Sequence, residues 1–358
     1  MPVSDFTSLP KAVLHEHLDG GLRVETILEI ADTEGYDGLP ARDAETLAEW
    51  FYQGRSGSLE RYLEAFVHTT AVMQTQESIA RIAYEAAEDL ANDGVVYAEI
   101  RYDAGLSTKR GLVREDAIEA ILDGYARAQQ DHGIVVYAIT TALRHLSDSV
   151  EVVKAAVPFV GKGLVAFDLA GPEKGFPPDQ HMAACRLASE SGLGLTLHAG
   201  EGDGVHSIWR AIALCGAQRV GHGVHIVDDT DFDGVKISEL GSFARRVRDH
   251  RVPLEVAITS NLHTSSFDSA RVHPFGALFR SGFNVALNTD NRLMSNVTMS
   301  DEYRLAADSF GLSVLELGEI TCNAIRAGFG DWPTRRALMI DVVKPAYESR
   351  GAVSPPSP

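Results

Sequence analysis

Cysteine is scarce in this chain and scattered. Cys185, Cys215 and Cys322 are the only three in 358 residues, odd in number and without a C-x-x-C pair. That excludes a disulfide framework and a thiolate zinc site, and the three read as reduced core residues. No apolar run is long enough to cross a bilayer, and the stretch from Met1 to Lys11 lacks the apolar segment of an export signal, which places the protein in the cytoplasm. Positive charge is also in deficit. Lys plus Arg number 32 against 50 Asp plus Glu, a formal net charge of −18, and the basic residues form no cluster. A nucleic-acid or anionic-membrane partner is disfavoured, as is a multiply phosphorylated substrate, whereas a neutral small molecule fits. Neither an internal repeat nor a domain linker is visible. With 45% hydrophobic content, the chain has material for one large core.

What is present alternates between strand and helix. Ala12-Val13-Leu14 runs into His15-Glu16-His17, and further strands are expected at Val95–Ile100, Ile134–Ile139, Leu164–Leu169, Leu193–Leu197, Arg219–Val220, Leu254–Ile258 and Asn284–Leu287. Helical patterns separate most of them. Eight such strands are the signature of an α/β (β/α)8 barrel of the TIM type, expected here as a single domain over 1–358. Residues 22–93 read as helical throughout, an insertion after the first strand. They form either a lid, with Leu59, Tyr62, Leu63 and Phe66 on its underside, or ordinary helix-on-helix core. Asp301–Phe310 and Ser313–Gly328 read as closing helices, and about 352–358, ending Ser-Pro-Pro-Ser-Pro, as a disordered tail.

The chemistry collects at the C-terminal ends of the strands. The first ends in His15 and His17, two apart and so on one face, with Glu16 pointing away. The fifth, Leu195-Thr196-Leu197, ends in His198-Ala199-Gly200-Glu201; the sixth ends in Gly221-His222-Gly223; the eighth ends in Asn288-Thr289-Asp290-Asn291. Each histidine alone is open to a structural reading, and Asp19 before Gly20-Gly21 is open to a turn reading. Together, strand ends that converge on one barrel mouth offer three imidazoles and a carboxylate. That donor set suits a divalent ion, zinc most often.

These segments, with Leu9-Pro10-Lys11, His17-Leu18-Asp19-Gly20 and Thr259-Ser260-Asn261, resemble the adenosine deaminase family from Leu9 to about Arg326. The resemblance implies one zinc per chain, held by His15, His17, His198 and Asp290. It implies Glu201 as proton donor to the purine N1, His222 beside the attacking water, and Asp290 as a catalytic carboxylate. Substrate contacts are implied for His17, for Asp19 at the ribose 5′-hydroxyl, for the Gly171 N–H at N3 and for Asn291 at N7. Gly171 qualifies through Asp168-Leu169-Ala170-Gly171. The chemistry asks for the same residue types, because water must become a strong nucleophile and the ring must accept a proton as it is attacked. The implied activity is hydrolytic deamination of adenosine, and of 2′-deoxyadenosine, to inosine and ammonia, with a purine nucleoside as partner.

Two positions depart from the family pattern. Asn291 stands where a second Asp is usual, and Arg101-Tyr102-Asp103-Ala104 replaces Arg-Tyr, a small residue and Pro. The amide of Asn291 is a donor that N7 can accept without a shared proton. Adenine and aminofutalosine deaminases share the metal motifs and remain the alternative, although Asp19 and Asn288-Thr289-Asp290-Asn291-Arg292 look more like the nucleoside enzymes. A metal-bound protein without catalysis would require a broken ligand or acid position, and none is broken. The other zinc deaminases need H-x-E and P-C-x-x-C, both absent. His145, His206, His225, His250, His263 and His273 are assigned structural or surface roles. The sequence leaves the oligomeric state open.

Overall fold

Short apolar runs become strands buried on both faces. In a computed structural model describing residues 5–351 apart from Arg55 and Ser58, eight parallel strands pair in chain order around a barrel. They are β1 (Lys11–His17), β2 (Val95–Tyr102), β3 (Val135–Leu143), β4 (Leu164–Ala170), β5 (Gly194–Ala199), β6 (Arg219–His222), β7 (Leu254–Val256) and β8 (Val285–Leu287). Leu197, Leu254, Val256, Val285 and Leu287 are wholly buried, each contributing about 1.5–3 kcal/mol of apolar transfer. β1 and β8 meet through Asn288, whose Oδ1 accepts the N–H groups of Leu14 at 2.8 Å and His15 at 3.0 Å. A bridge between Glu16 and Asp290 completes the seam, with His17 N–H donating to Asp290 O at 2.8 Å and Asp290 N–H to His15 O at 3.0 Å. Three of the expected metal ligands therefore sit on the line where the barrel closes.

The insertion after β1 is helical, as expected, with segments Val24–Glu34, Ala44–Phe51, Leu59–Tyr62, Phe66–Ala71 and Gln76–Asn92 and no strand among its described residues. Local capping explains two of the starts. Asp43 accepts the Thr46 N–H at 2.9 Å, and Thr75 with Ser78 forms a reciprocal cap.

Three differences from the sequence reading emerge. The seventh strand stops at Val256, and Ile258 instead begins the helix Ile258–His263. Its β-branched residues suggest strand, but Glu302 takes the N–H groups of Ile258 at 3.0 Å and Thr259 at 3.1 Å and caps a helix there. An antiparallel hairpin, Thr230–Phe232 with Ile237–Leu240, was not expected, being short and half exposed. The chain also continues beyond Gly328 through helical turns Trp332–Ala337, Leu338–Val343 and Lys344–Gly351. Tyr347 anchors the last of these by donating to Pro10 O at 3.1 Å. The tail expected at 352–358 lies outside the described residues. No described helix is long and apolar enough to cross a membrane.

Candidate active site

Beneath the mouth the barrel interior is ionic. Arg101 of β2 reaches Glu255 of β7 at 2.7 Å and Asp168 of β4 at 3.1 Å. Arg219 of β6 reaches Glu255 at 2.6 Å and Glu99 of β2 at 2.6 Å. All five are buried. A carboxylate inside an apolar strand is tolerable only when paired and hydrogen-bonded, and here each is.

This layer aims the histidines. His15 directs Nδ1 to Glu255 Oε2 at 3.1 Å, and His198 directs Nδ1 to Asp168 Oδ1 at 3.1 Å. With a proton held on each Nδ1, both rings turn an Nε2 lone pair toward the mouth. There His17 Nε2 lies 3.2 Å from His198 Nε2. Asp290 Oδ1 lies 3.3 Å from His15 Nε2 and 3.4 Å from His17 Nε2. The four donor atoms fall within 4.8 Å of one another. His15 Nε2 is buried with no hydrogen-bond partner. Lone pairs that converge on one point, one of them otherwise orphaned, fit a divalent cation. Burial holds His17 and His198 below the ordinary histidine value, which keeps them neutral as ligands must be. His15 is shifted the other way, because Asp290 and Glu255 outweigh its burial and the Arg101 charge. Glu16 points away from this group, as read from the alternation, and pairs with Arg292 at 2.7 Å.

Backbone strain marks two of the residues. His222 and Asp290 have φ of +58° and +62°, a left-handed conformation costing about 1–3 kcal/mol per side-chain-bearing residue, which persists where surroundings over-determine it. For Asp290 those surroundings are the barrel seam and Ser260, whose hydroxyl donates to Oδ2 at 2.6 Å. For His222 they form a chain of hydrogen bonds whose direction is set at its far end. The Phe275 backbone N–H can only donate, and it donates to His273 Nδ1 at 3.2 Å. His273 therefore carries its proton on Nε2, facing Asn261 Oδ1 at 3.3 Å. That orients the Asn261 amide so that Nδ2 donates to His222 Nδ1 at 3.1 Å. Neutral His222 thus holds its proton on Nε2, the atom 3.5 Å from Glu201 Oε2.

Glu201 is placed by a carboxylate that sequence reasoning passed over. Glu173, just after β4, accepts the N–H groups of Gly200 at 2.6 Å, Glu201 at 2.9 Å, Gly202 at 2.8 Å and Asp203 at 3.2 Å. Burial, with the charges of Asp290 and Glu173, pushes Glu201 well above the ordinary carboxyl range, which favours its protonated form. A cavity of about 370 Å³ opens at this end of the barrel. His17, Asp19, Gly171, His198, Glu201, His222, Asp290 and Asn291 all line it, and His15 alone stands behind. Leu59, Tyr62, Leu63 and Phe66 of the insertion form part of its wall. His145, assigned away from the chemistry, also lines the cavity.

Gly221 shows how little room the histidines have. A Cβ there would meet the His15 ring at 3.0 Å and the His198 backbone at 3.1 Å. Gly221→Ala is expected to tilt His15 and weaken cation binding by about tenfold, the low end for a disturbed ligand support. Competition with a chelator measures this, and unchanged affinity would contradict the packing.

Fold and donor set are those of a barrel hydrolase with a candidate metal site in its mouth. The adenosine deaminase family model matches residues 10–345. A protein of Mycobacterium ulcerans named adenosine deaminase is 47% identical over 97% of this chain and 98% of its own length. The chain belongs to the adenosine deaminase family. Among solved structures, an adenine deaminase from Arthrobacter aurescens superposes with TM-score 0.85 at 25% identity, covering 96% of this chain and 100% of that one. Arabidopsis ADAL complexed with IMP superposes with TM-score 0.80 at 26% identity, covering 97% and 98%.

Proposed function

We propose that this chain is an adenosine aminohydrolase that releases the 6-amino group of adenosine as ammonia and leaves inosine, with His15, His17, His198 and Asp290 holding one zinc ion. The observation that carries the reading is a buried Glu201 beside His222 and Asp290, in a cavity of nucleoside size. The 47% identity to a relative named adenosine deaminase supports the nucleoside as substrate.

Bound at these four side chains, zinc would supply Lewis acidity that lowers the pKa of a neighbouring water toward neutrality. The chain's own residues do the rest. Glu201 gives its proton to N1 of the purine, which makes C6 electron-poor as oxygen adds there. His222, carrying its proton on Nε2, orients the attacking water by donating to it. Asp290 keeps Oδ2 engaged by Ser260 and offers Oδ1 to the cation and to the water's proton. One proton of the water replaces the one Glu201 gives up, and the other leaves with the nitrogen. Asp19 takes the 5′-hydroxyl, the Gly171 N–H takes N3, and the Asn291 amide donates to N7. The helices between β1 and β2 act as the lid that keeps water out.

Purified protein should convert the ultraviolet spectrum of adenosine to that of a 6-oxopurine and release ammonia; turnover of adenine in its place would move the assignment to the base deaminases. Dialysis against a chelator is expected to cut turnover by about 10²-fold or more and to lower Tm, with Zn²⁺ restoring both. Activity that survives measured loss of the metal would sink the metal reading.

A further inference from the structure

The two segments that meet at the barrel seam turn metal-ligand candidates inward and a second set of side chains outward. In β1 the residue between the inward histidines His15 and His17 faces out. That residue, Glu16, is wholly buried, and neither it nor Arg292 lines the cavity. Glu16 Oε1 accepts Arg292 Nε at 2.7 Å, and Oε2 accepts the Thr289 hydroxyl. Thr289 precedes Asp290 in the chain, and Arg292 follows two residues after it. One carboxyl, on the strand that supplies two of the ligands, thus grips the backbone on both sides of a third.

Arg292 is anchored in turn. Its Nη2 donates to Gly21 O at 3.3 Å and Ala86 O at 3.5 Å, and Nη1 lies 3.5 Å from Asp89. Ala86 and Asp89 belong to the helix Gln76–Asn92, so the grip is tied to an element outside the two segments it joins. The space over it is taken up by backbone: a Cβ on Gly21 would stand 2.7 Å from Glu16 Oε1 and 2.9 Å from Arg292 Nη2. The grip also falls where the backbone needs support. Asp290 has a φ of +62°, which a residue with a side chain keeps only when its surroundings over-determine it. The seam bonds and Ser260 act on Asp290 itself, whereas Glu16 fixes the chain before and after it. Without that hold, Asp290 would relax toward negative φ and carry Oδ1 away from His15 Nε2 and His17 Nε2, which it faces at 3.3 and 3.4 Å.

We propose that Glu16 and Arg292 are positioning residues for the metal: a clasp on the outer face of the seam that holds Asp290 in place and so sets how tightly the divalent cation binds. Both act through Asp290. This rests on the reading of His15, His17, His198 and Asp290 as the ligands.

The test is Zn²⁺ affinity, by competition with a chelator, together with the visible spectrum of the Co²⁺-loaded protein. The proteins compared are the wild type, Arg292→Met, Arg292→Lys and the double variant Glu16→Leu/Arg292→Met. Arg292→Met should weaken Zn²⁺ binding by about tenfold or more and alter the Co²⁺ bands, because a ligand oxygen has moved. Arg292→Lys, which returns a donor to Glu16, should recover part of that affinity. The double variant separates the clasp from plain stability, and it serves equally if Arg292→Met does not fold. With no acid left facing an absent partner its Tm should return toward wild type, while Zn²⁺ affinity stays low. Wild-type Zn²⁺ affinity in the double variant would mean that the pair is structural only, overturning the clasp and leaving the metal reading intact. A wild type that binds neither Zn²⁺ nor Co²⁺ would overturn both.

Discussion

Glu201→Gln should lower kcat for adenosine by about 10²–10⁴-fold while the protein stays folded and keeps its metal. Glutamine matches the shape of the acid and retains an N–H to offer N1, so substrate still binds and KM moves little. It has no proton to surrender. Four backbone N–H groups hold the loop through Glu173 rather than through the Glu201 side chain, and they survive the substitution. In the proposed mechanism Glu201 acts in its protonated form, present below its raised pKa, so wild-type activity should fall as pH rises through that value. Burial is the first cause of the rise and the Asp290 charge the second. A cation on Asp290 weakens the second cause and draws the alkaline limb downward. Steady-state kinetics across pH with metal content measured in parallel check the claim, and a variant within threefold of wild type would remove Glu201 from the proton-donor role.

How much of this site was legible beforehand depended on whether the signal was local. His15, His17, His198, His222 and Asp290 sit where apolar runs give way to polar residues, and the barrel rule sends all such ends to one mouth. Glu255 and Asp168 left a weaker trace, each a lone acid inside an apolar strand. The trace says that a partner exists without naming it: Arg101 and Glu255 meet across 154 positions of sequence, and only the closed barrel brings them together. The support of His222 was less visible still. It runs through Asn261, through a histidine assigned a structural role, and through a backbone N–H. Glu302, which turns the end of an apparent strand into a helix, acts from 44 residues away. The strands and their order were thus readable from pattern, whereas the partners that aim the ligands depended on contacts no window of sequence contains.

Those partners carry the other large expected effect. Glu255 accepts from Thr196 Oγ1 at 2.7 Å, Arg219 Nε at 2.6 Å and Arg101 Nη2 at 2.7 Å, and it faces His15 Nδ1 at 3.1 Å. Burial would raise its pKa, yet Arg101 and Arg219 outweigh burial and hold it well below the ordinary range. Glu255→Gln leaves two buried guanidiniums sharing Asp168 and Glu99, a loss on the order of 3–5 kcal/mol for breaking a buried ion pair from one side. Set against a typical stability of about 5–15 kcal/mol, the variant still folds, with Tm clearly depressed. The amide, with one acceptor oxygen shared among more donors and no charge, also weakens the preference for a proton on His15 Nδ1, so cation affinity should drop by about 10–100-fold. Glu201→Gln and Glu255→Gln therefore separate two functions of buried acids in one barrel. The first removes turnover with metal and Tm near wild type, and the second removes metal and Tm together, with turnover recovering as zinc is added in excess. A Glu255→Gln protein with wild-type Tm and wild-type metal retention would mean that the ionic layer does not aim the site.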